Sequence, residues 1–257
     1  MKSFPTVRLG NLTLHAITED QCIARVLQEL DAGRGGFVVT PNLDHVRRLR
    51  HDGGFAEIYR SADIIVPDGM PLIWASWLQG TRLPQRVAGS SLISTLSAEA
   101  ARRRRSVFLL GGTPGTADTA AKVLQERYEG LQIAGTFCPA MGFENDEGAL
   151  AEVIRSLREA QPDIIYVGLG APKQERLIFK LRPQLPNSWW LGIGVSFSFL
   201  AGEVRRAPRW MQQIGLEWLH RLYQEPRRLT RRYLVEDLPF AFRLFGESIG
   251  TRFRASN

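Results

Sequence analysis

The chain predicts an α/β protein: a Rossmann-like, mainly parallel sheet sandwiched by helices, followed by a helical, basic C-terminal appendage. Three observations carry this. Short β-branched or aromatic runs recur through the first two hundred residues, amphipathic patterns of helical length lie between them, and arginines gather near the end. Continuous rather than alternating apolar runs are the pattern of strands buried on both faces, and alternation with helices points to a parallel sheet.

The elements follow in order. A helical pattern over Thr18 to Gly33 leads to the first run, Phe37-Val38-Val39-Thr40, and a second follows at Asp63-Ile64-Ile65-Val66. Ser90 to Arg105 reads as a helix before Val107-Phe108-Leu109-Leu110; its closing cations, Arg102 to Arg105, suit the negative end of a helix dipole. Pro114 to Tyr128 is helical, with Pro114 placed for a helix start, and Gln132-Ile133-Ala134-Gly135-Thr136 is the next strand. Glu144-Asn145-Asp146 reads as an N-terminal cap for a helix from Asp146 to Gln161. Asp163-Ile164-Ile165-Tyr166-Val167 and Trp189-Trp190-Leu191-Gly192-Ile193 complete the set.

A chain of 257 residues buries a core without metal or disulfide staples, and 44% hydrophobic with 23% charged residues excludes disordered, collagen-like and solenoid classes. The net charge is +7, carried by 29 arginines and only four lysines. Arginine forks suit phosphate, so an anionic partner is expected, with GC-rich coding as the competing explanation. Eight arginines fall between Arg205 and Tyr233 against Glu217 and Glu225, which places +6 of the charge in one segment. There Trp210, Ile214, Trp218 and Leu222 recur at i+4, the signature of one basic amphipathic helix. Composition leaves three readings of it open: a helix capping the core, a surface for anionic membranes, or a nucleic-acid contact. The domain boundary is set near residue 203, giving a core of 1–203 and an appendage of 204–257.

Cys22 and Cys138 make no framework, so a reducing compartment is expected. The start, Met1-Lys2-Ser3-Phe4-Pro5-Thr6, lacks a leader's apolar stretch, and the apolar run from Trp189 to Leu200 is too short to span a bilayer. The expectation is a cytoplasmic protein that touches a membrane peripherally.

In parallel sheets ligands bind beyond the carboxyl ends of the strands. The residues there are Thr40 and Asn42, Asp68 in Pro67-Asp68-Gly69, Gly111 and Gly112, Gly168 and Gly170 with Lys173, Gln174 and Glu175, and Gly192 with Gly194. Gly-rich turns entering helices make anion sites and suggest a diphosphate or nucleotide. Neither Gly168-x-Gly170 nor Gly192-x-Gly194 has the third glycine of a dinucleotide fingerprint, and there is no Walker lysine. The histidines His15, His45, His51 and His220 lack ligand spacing and no DxD occurs, so neither a metal nor a cofactor is expected. His45 reads as a helix-surface residue. Asp68 is placed to act as a base, although Pro-Asp-Gly is also a common turn, and Arg86 reads from spacing alone as a solvated surface cation.

Together these pieces resemble the WecG/TagA/CpsF family of bacterial glycosyltransferases. The resemblance is carried by Thr40-Pro41-Asn42, Ala62 to Gly69, Arg86-Val87-Ala88-Gly89-Ser90, Gly111 to Gly115, Val167 to Glu175, Arg206-Ala207-Pro208-Arg209-Trp210, Glu217-Trp218-Leu219-His220-Arg221 and Glu225-Pro226-Arg227-Arg228-Leu229. It implies an inverting transfer from a UDP-sugar to a polyprenyl-diphosphate-linked sugar at the cytoplasmic membrane face, in surface polysaccharide or exopolysaccharide assembly. Asp68 would be the general base, with Thr40, Arg86 and Gln174 lining the cleft. Asn42, Gly111, Gly112, Gly168, Gly170, Lys173, Glu175 and Gly194 are the other core binding candidates, and Arg221, Arg228 and Arg231 of the appendage would reach the diphosphate. Two departures stand out: Ser91 and Ser198 occupy positions where the family often has a carboxylate, which leaves N-acetylmannosamine and a plain hexose such as glucose both open as donors. Nucleic acid is not expected as a partner, and a homo-oligomer is left open. A non-catalytic nucleotide-sugar sensor and a nucleic-acid-binding module are the competing classes, with a nucleotide-dependent oxidoreductase third.

Overall fold

The computed structural model describes residues 4–255; residues 1–3, half of the start read for a leader, and residues 256–257 lie outside the described set. The chain opens with an antiparallel hairpin, β1 (Thr6–Leu9) and β2 (Leu12–His15), which the strand pattern did not anticipate. The core then runs α1 (Glu19–Asp31), β3 (Gly36–Val39), α2 (Leu43–Arg48), α3 (Gly53–Arg60), β4 (Ile64–Ile65), α4 (Met70–Gln79) and α5 (Gly89–Arg102). It continues with β5 (Ser106–Gly111), α6 (Thr116–Arg127), β6 (Gln132–Phe137), α7 (Glu147–Ala160), β7 (Ile164–Gly168), α8 (Lys173–Leu181), β8 (Trp189–Gly192) and α9 (Ser196–Leu200).

All six expected strands form, joined in one parallel sheet of order β4-β3-β8-β7-β5-β6. Their side chains alternate between two buried layers. Phe37, Val39, Phe108, Leu110, Ile165, Val167 and Trp190 face the hairpin, α2, α3, α4, α7 and α8. Val38, Val107, Leu109, Ile164, Tyr166, Trp189 and Leu191 face α1, α5, α6 and α9. This two-sided burial is why the strands read as continuous apolar runs. Because every strand points the same way, the loops after β3, β4, β5, β7 and β8 open on one edge, where the candidate residues lie.

Local chemistry sets the boundaries. Thr18 caps α1 and Gln21 returns the bond, a capping box, while Asp146 caps α7 by accepting from Gly148 and Ala149, as the cap reading expected. The cations after α5 are structural: Arg103 and Arg105 each reach Asp31 at 2.8 Å, and Arg105 reaches Asp163 at 3.0 Å.

The expected single amphipathic helix through Trp210 and Leu222 does not form. The segment is broken into α10 (Arg209–Gln213), α11 (Glu217–Gln224), α12 (Pro226–Thr230) and a π-helical stretch, Arg231–Asp237, before the long α13 (Leu238–Ala255). Gly215 makes the first break. Its φ is +79°, and a Cβ there would lie 2.8 Å from Met70 Cβ and from the Trp74 ring, so the chain turns where it presses on α4. Pro226 starts α12. Periodicity alone could not see this, because one helical face is continuous in number but not in backbone. α13 is also no free tail: Phe240 and Leu244 are buried in the same core layer as α2, α3 and α4.

Candidate active site

The site begins with three segments held against one another by backbone bonds. Asp68 N–H donates to Pro41 C=O at 2.8 Å, tying the turn after β4 to the turn after β3. Val87 N–H donates to Pro67 C=O at 2.7 Å, which brings in the segment before α5. Gly89 N–H then donates to Asp68 Oδ2 at 3.3 Å. Gly89 sits so close to its neighbours that a Cβ would meet Gly192 C=O at 3.2 Å and Thr40 Oγ1 at 3.3 Å. Thr40, Asp68, Gly89 and the end of β8 therefore converge on one point at the sheet edge, and Asp68 is more than a turn residue.

Burial pushes the Asp68 carboxyl up to about 7; Glu217 adds to the rise, while Arg86, Arg206 and the Gly89 N–H oppose it. A carboxyl poised near neutrality is suited to accept a proton in catalysis. Arg86 is not the solvated cation that spacing suggested. Its side chain is only 16% exposed, and Nη1 donates to Glu217 Oε2 at 2.8 Å. Glu217, on α11, also accepts from Arg206 Nε at 3.4 Å, and Arg206 donates to Ser90 C=O at 3.3 Å and to Ser91 Oγ at 3.1 Å. Glu217 and Arg206 were visible as parts of motifs but not as site residues. No spacing rule joins a carboxylate to an arginine 131 residues away.

The glycine turns are organised by Gln174. Its Oε1 accepts from Gly194 N–H at 3.0 Å and from Gly170 N–H at 3.2 Å, and its Nε2 donates to Glu175 Oε1 at 2.8 Å. It lies across β8 so tightly that a Cβ at Gly192 would be 2.6 Å from its Nε2. Gln174 is buried and its amide is engaged by the protein on both sides, so it shapes the turns after β7 and β8. Gly112 N–H donates to Gly168 C=O at 2.9 Å, bringing the β5 turn into the same group. Glu175 is buried too, with Oε2 unpartnered, and burial raises its carboxyl to about 7.

Other candidates fall elsewhere. Asn42 caps α2 by accepting from His45 N–H at 3.3 Å. Lys173 is exposed and pairs with Glu144 at 2.7 Å. Arg228 pairs with Glu225 at 2.9 Å and Arg231 with Glu236 at 3.4 Å, both arginines well exposed. Arg221 is half-buried, one turn after Glu217 on α11, and its Nε lacks a partner. His45 is a correction: it is buried rather than on a surface, its Nδ1 bonds Tyr59 Oη at 3.0 Å, and burial lowers it to about 4. The cause is packing of α2 between α3 and the Arg231–Asp237 stretch, which covers the face that sequence left open.

Beside Asp68 a cleft of about 760 Å³ opens between α5 and the start of the appendage, lined by Arg86, Ser91, Arg206 and Arg209 among others. Among the described residues no group of three or more His, Cys, Asp or Glu side chains is arranged to hold a metal ion, and no helix is long and apolar enough to cross a membrane.

A family model described as glycosyl transferase WecG/TagA/CpsF family matches residues 7–254. The chain is 32% identical over 202 residues to an N-acetylglucosaminyldiphosphoundecaprenol N-acetyl-beta-D-mannosaminyltransferase of Bacillus spizizenii, covering 79% of this chain and 76% of that one. Proteins of the same name from Bacillus subtilis and Staphylococcus aureus are each 30% identical, covering 79% and 76% of this chain and 77% and 74% of theirs. The chain belongs to the WecG/TagA/CpsF family of glycosyltransferases.

Proposed function

We propose that the protein is an inverting glycosyltransferase that moves a sugar from a UDP-sugar to a hydroxyl of a polyprenyl-diphosphate-linked sugar in surface polysaccharide assembly. The observation that carries this is the half-buried Asp68 carboxyl, raised to about 7, beside Arg86 and an arginine-lined cleft. Asp68 takes the proton of the attacking hydroxyl. The new bond to the anomeric carbon forms as the bond to UDP breaks on the opposite face, and the leaving diphosphate carries away the electron pair. Arg86 and N–H groups of the glycine turns other than those of Gly112, Gly170 and Gly194, which bond within the protein, stabilise that charge, each donor of this kind being worth about 2.7 to 4 kcal/mol where it has been removed from other enzymes.

The relatives' names specify N-acetylmannosamine as the sugar moved and an N-acetylglucosaminyl diphospholipid as acceptor, and similar substrates are the first to try here. With Ser91 bonded to Arg206 in place of a carboxylate, glucose belongs on the same panel. The exposed Trp210, Ile214, Trp218, Leu219 and Tyr223, interspersed with arginines, support a peripheral seat on anionic membranes at the cytoplasmic face. The deciding experiment incubates the protein with UDP-sugars and short-chain lipid-diphosphate sugars and follows UDP release and product mass. A sugar-lipid product is expected from one pair; binding of UDP-sugars without UDP release from any pair would overturn the reading in favour of a sensor.

A further inference from the structure

The proposed reaction, on which this inference rests, brings two diphosphates to one carboxylate: the donor's and the acceptor's. The turns after β5, β7 and β8 are the proposed seat of one of them, but none of their glycines lines the cleft between α5 and residues 205–215. That cleft has different chemistry. Its cations are Arg86, Arg127, Arg206 and Arg209, its neutral polar groups include the hydroxyls of Ser91 and Ser94, and no carboxylate lines it. Arg86 and Arg206, at the end near Asp68, are held in place by Glu217. Arg127 and Arg209 form no ion pair among the described residues. Unpaired arginines facing hydroxyls in a concave site are a receptor for an oxyanion.

The short helix α10 adds direction. Arg209 and Gln212 line the cleft, whereas Trp210 and Ile214, on the same segment, are 58% and 53% exposed. A ligand with an anionic head and an apolar tail finds both requirements met within six residues. Arg228 and Arg231 line no part of this cleft and are engaged by Glu225 and Glu236.

We propose that this cleft is the seat of the diphosphate of the lipid-linked acceptor, with Arg206 and Arg209 as its main cations, Arg127 at its far side and the lipid leaving past Trp210 and Ile214. The acceptor's terminal sugar then points toward Asp68, and the donor's diphosphate occupies the glycine turns. Arg127, Arg206 and Arg209 bind acceptor without touching donor, and Arg86, next to Asp68, faces the leaving group.

The test uses the full chain with Arg127→Ala, Arg209→Ala and the double variant, and Arg155→Ala on α7 as a surface control in the opposite layer. Calorimetry with inorganic pyrophosphate in the presence of saturating UDP, with UDP alone, and kinetics varying UDP-sugar and short-chain lipid-diphosphate sugar separately are the readouts. The double variant is expected to lose about tenfold or more in pyrophosphate affinity and to raise the acceptor KM about tenfold or more, with UDP affinity and donor KM within about twofold of the parent. An unchanged acceptor KM overturns the proposal. Loss of UDP affinity instead overturns it in favour of a nucleotide diphosphate in the cleft. A parent chain that transfers to no lipid-linked sugar, yet binds pyrophosphate in a way that needs Arg127 and Arg209, ends the proposed function and leaves the anion seat standing.

Discussion

Glu217 Oε2 accepts a hydrogen bond from Arg86 Nη1 at 2.8 Å, and through that bond the appendage reaches the sheet edge where Asp68 lies. The bond has an electrostatic consequence for Asp68. Burial is the main cause of its raised pKa, but Glu217 pushes it further up while Arg86 and Arg206 pull it down. Replacing Glu217 with Gln removes the repulsive charge and frees the positive field of both arginines, and both changes lower the Asp68 pKa. The acid limb of kcat/KM is therefore expected to move to lower pH in Glu217→Gln, whereas a purely structural role would lower the rate at every pH and leave the limb in place.

Asp68→Asn separates function from folding. The parent carboxyl titrates near 7 in the folded protein and near the ordinary carboxylate value when unfolded. Between those values the folded state holds a proton that the unfolded state has lost, so stability falls as pH rises through the window and levels off above it. Asparagine has no such penalty. The variant is expected to lose about 10²- to 10⁴-fold in turnover and to melt higher than the parent at pH 8, with the difference gone at pH 4. Thermal melts at both pH values, with UDP-release assays at pH 8, check this.

Gln174→Ala should act on two loops at once. One oxygen serves the N–H groups of Gly170 and Gly194, and losing it leaves both donors without their partner and opens a void over Gly192. A fully buried donor left unmet costs about 1–3 kcal/mol, and these half-buried donors cost less because water can reach them. The expected outcome is a lower melting temperature together with weaker UDP binding, measured calorimetrically. Unchanged UDP affinity in a folded variant would separate these turns from the donor.

Much of this was legible from the sequence because the physics was local. Continuous apolar runs marked strands buried on both faces, Asp146 marked a helix start, and strand ends marked where Thr40, Asp68 and the glycines would gather. Long-range pairing was not legible. Nothing near Arg86 in sequence announces Glu217, and nothing in the i+4 pattern of Trp210 and Ile214 announces that Gly215 must bend the chain against Trp74. His45 misled for the same reason: polarity suggested solvent, but the covering segment lies at Arg231–Asp237. The motifs shared with the family drew attention to Asp68 and Arg86 while leaving Glu217 and Arg206 unnamed as their neighbours.

The appendage is fastened to the core by a charge network that yields a last prediction. Asp44, with no side-chain exposure, meets Arg47 at 2.6 Å, Arg48 at 2.9 Å and Arg232 at 3.2 Å. Asp237 meets Arg47 at 3.4 Å and Arg232 at 3.7 Å. Arg232 thus links α2 to the stretch that leads into α13, while Arg50 pairs with Glu247 further along. Burial works against the Asp44 charge, but Arg232 and Arg48 hold its carboxyl below the usual range. Its contribution is present above the ordinary carboxylate pKa and is lost as pH falls through the depressed folded value. Arg232→Ala leaves Asp44 with Arg47 and Arg48 and leaves Arg47 on Glu236 and Asp237, but removes the cation shared by Asp44 and Asp237, so the core should stay folded while residues 231–255 loosen. Hydrogen exchange there is expected to quicken by about tenfold or more, with β5 and β7 unchanged. Since Glu217 arrives from the same appendage, turnover should fall alongside; protection unchanged in 231–255 would show that Phe240 and Leu244, with the pairs Arg47–Glu236 and Arg50–Glu247, hold α13 in place without Arg232.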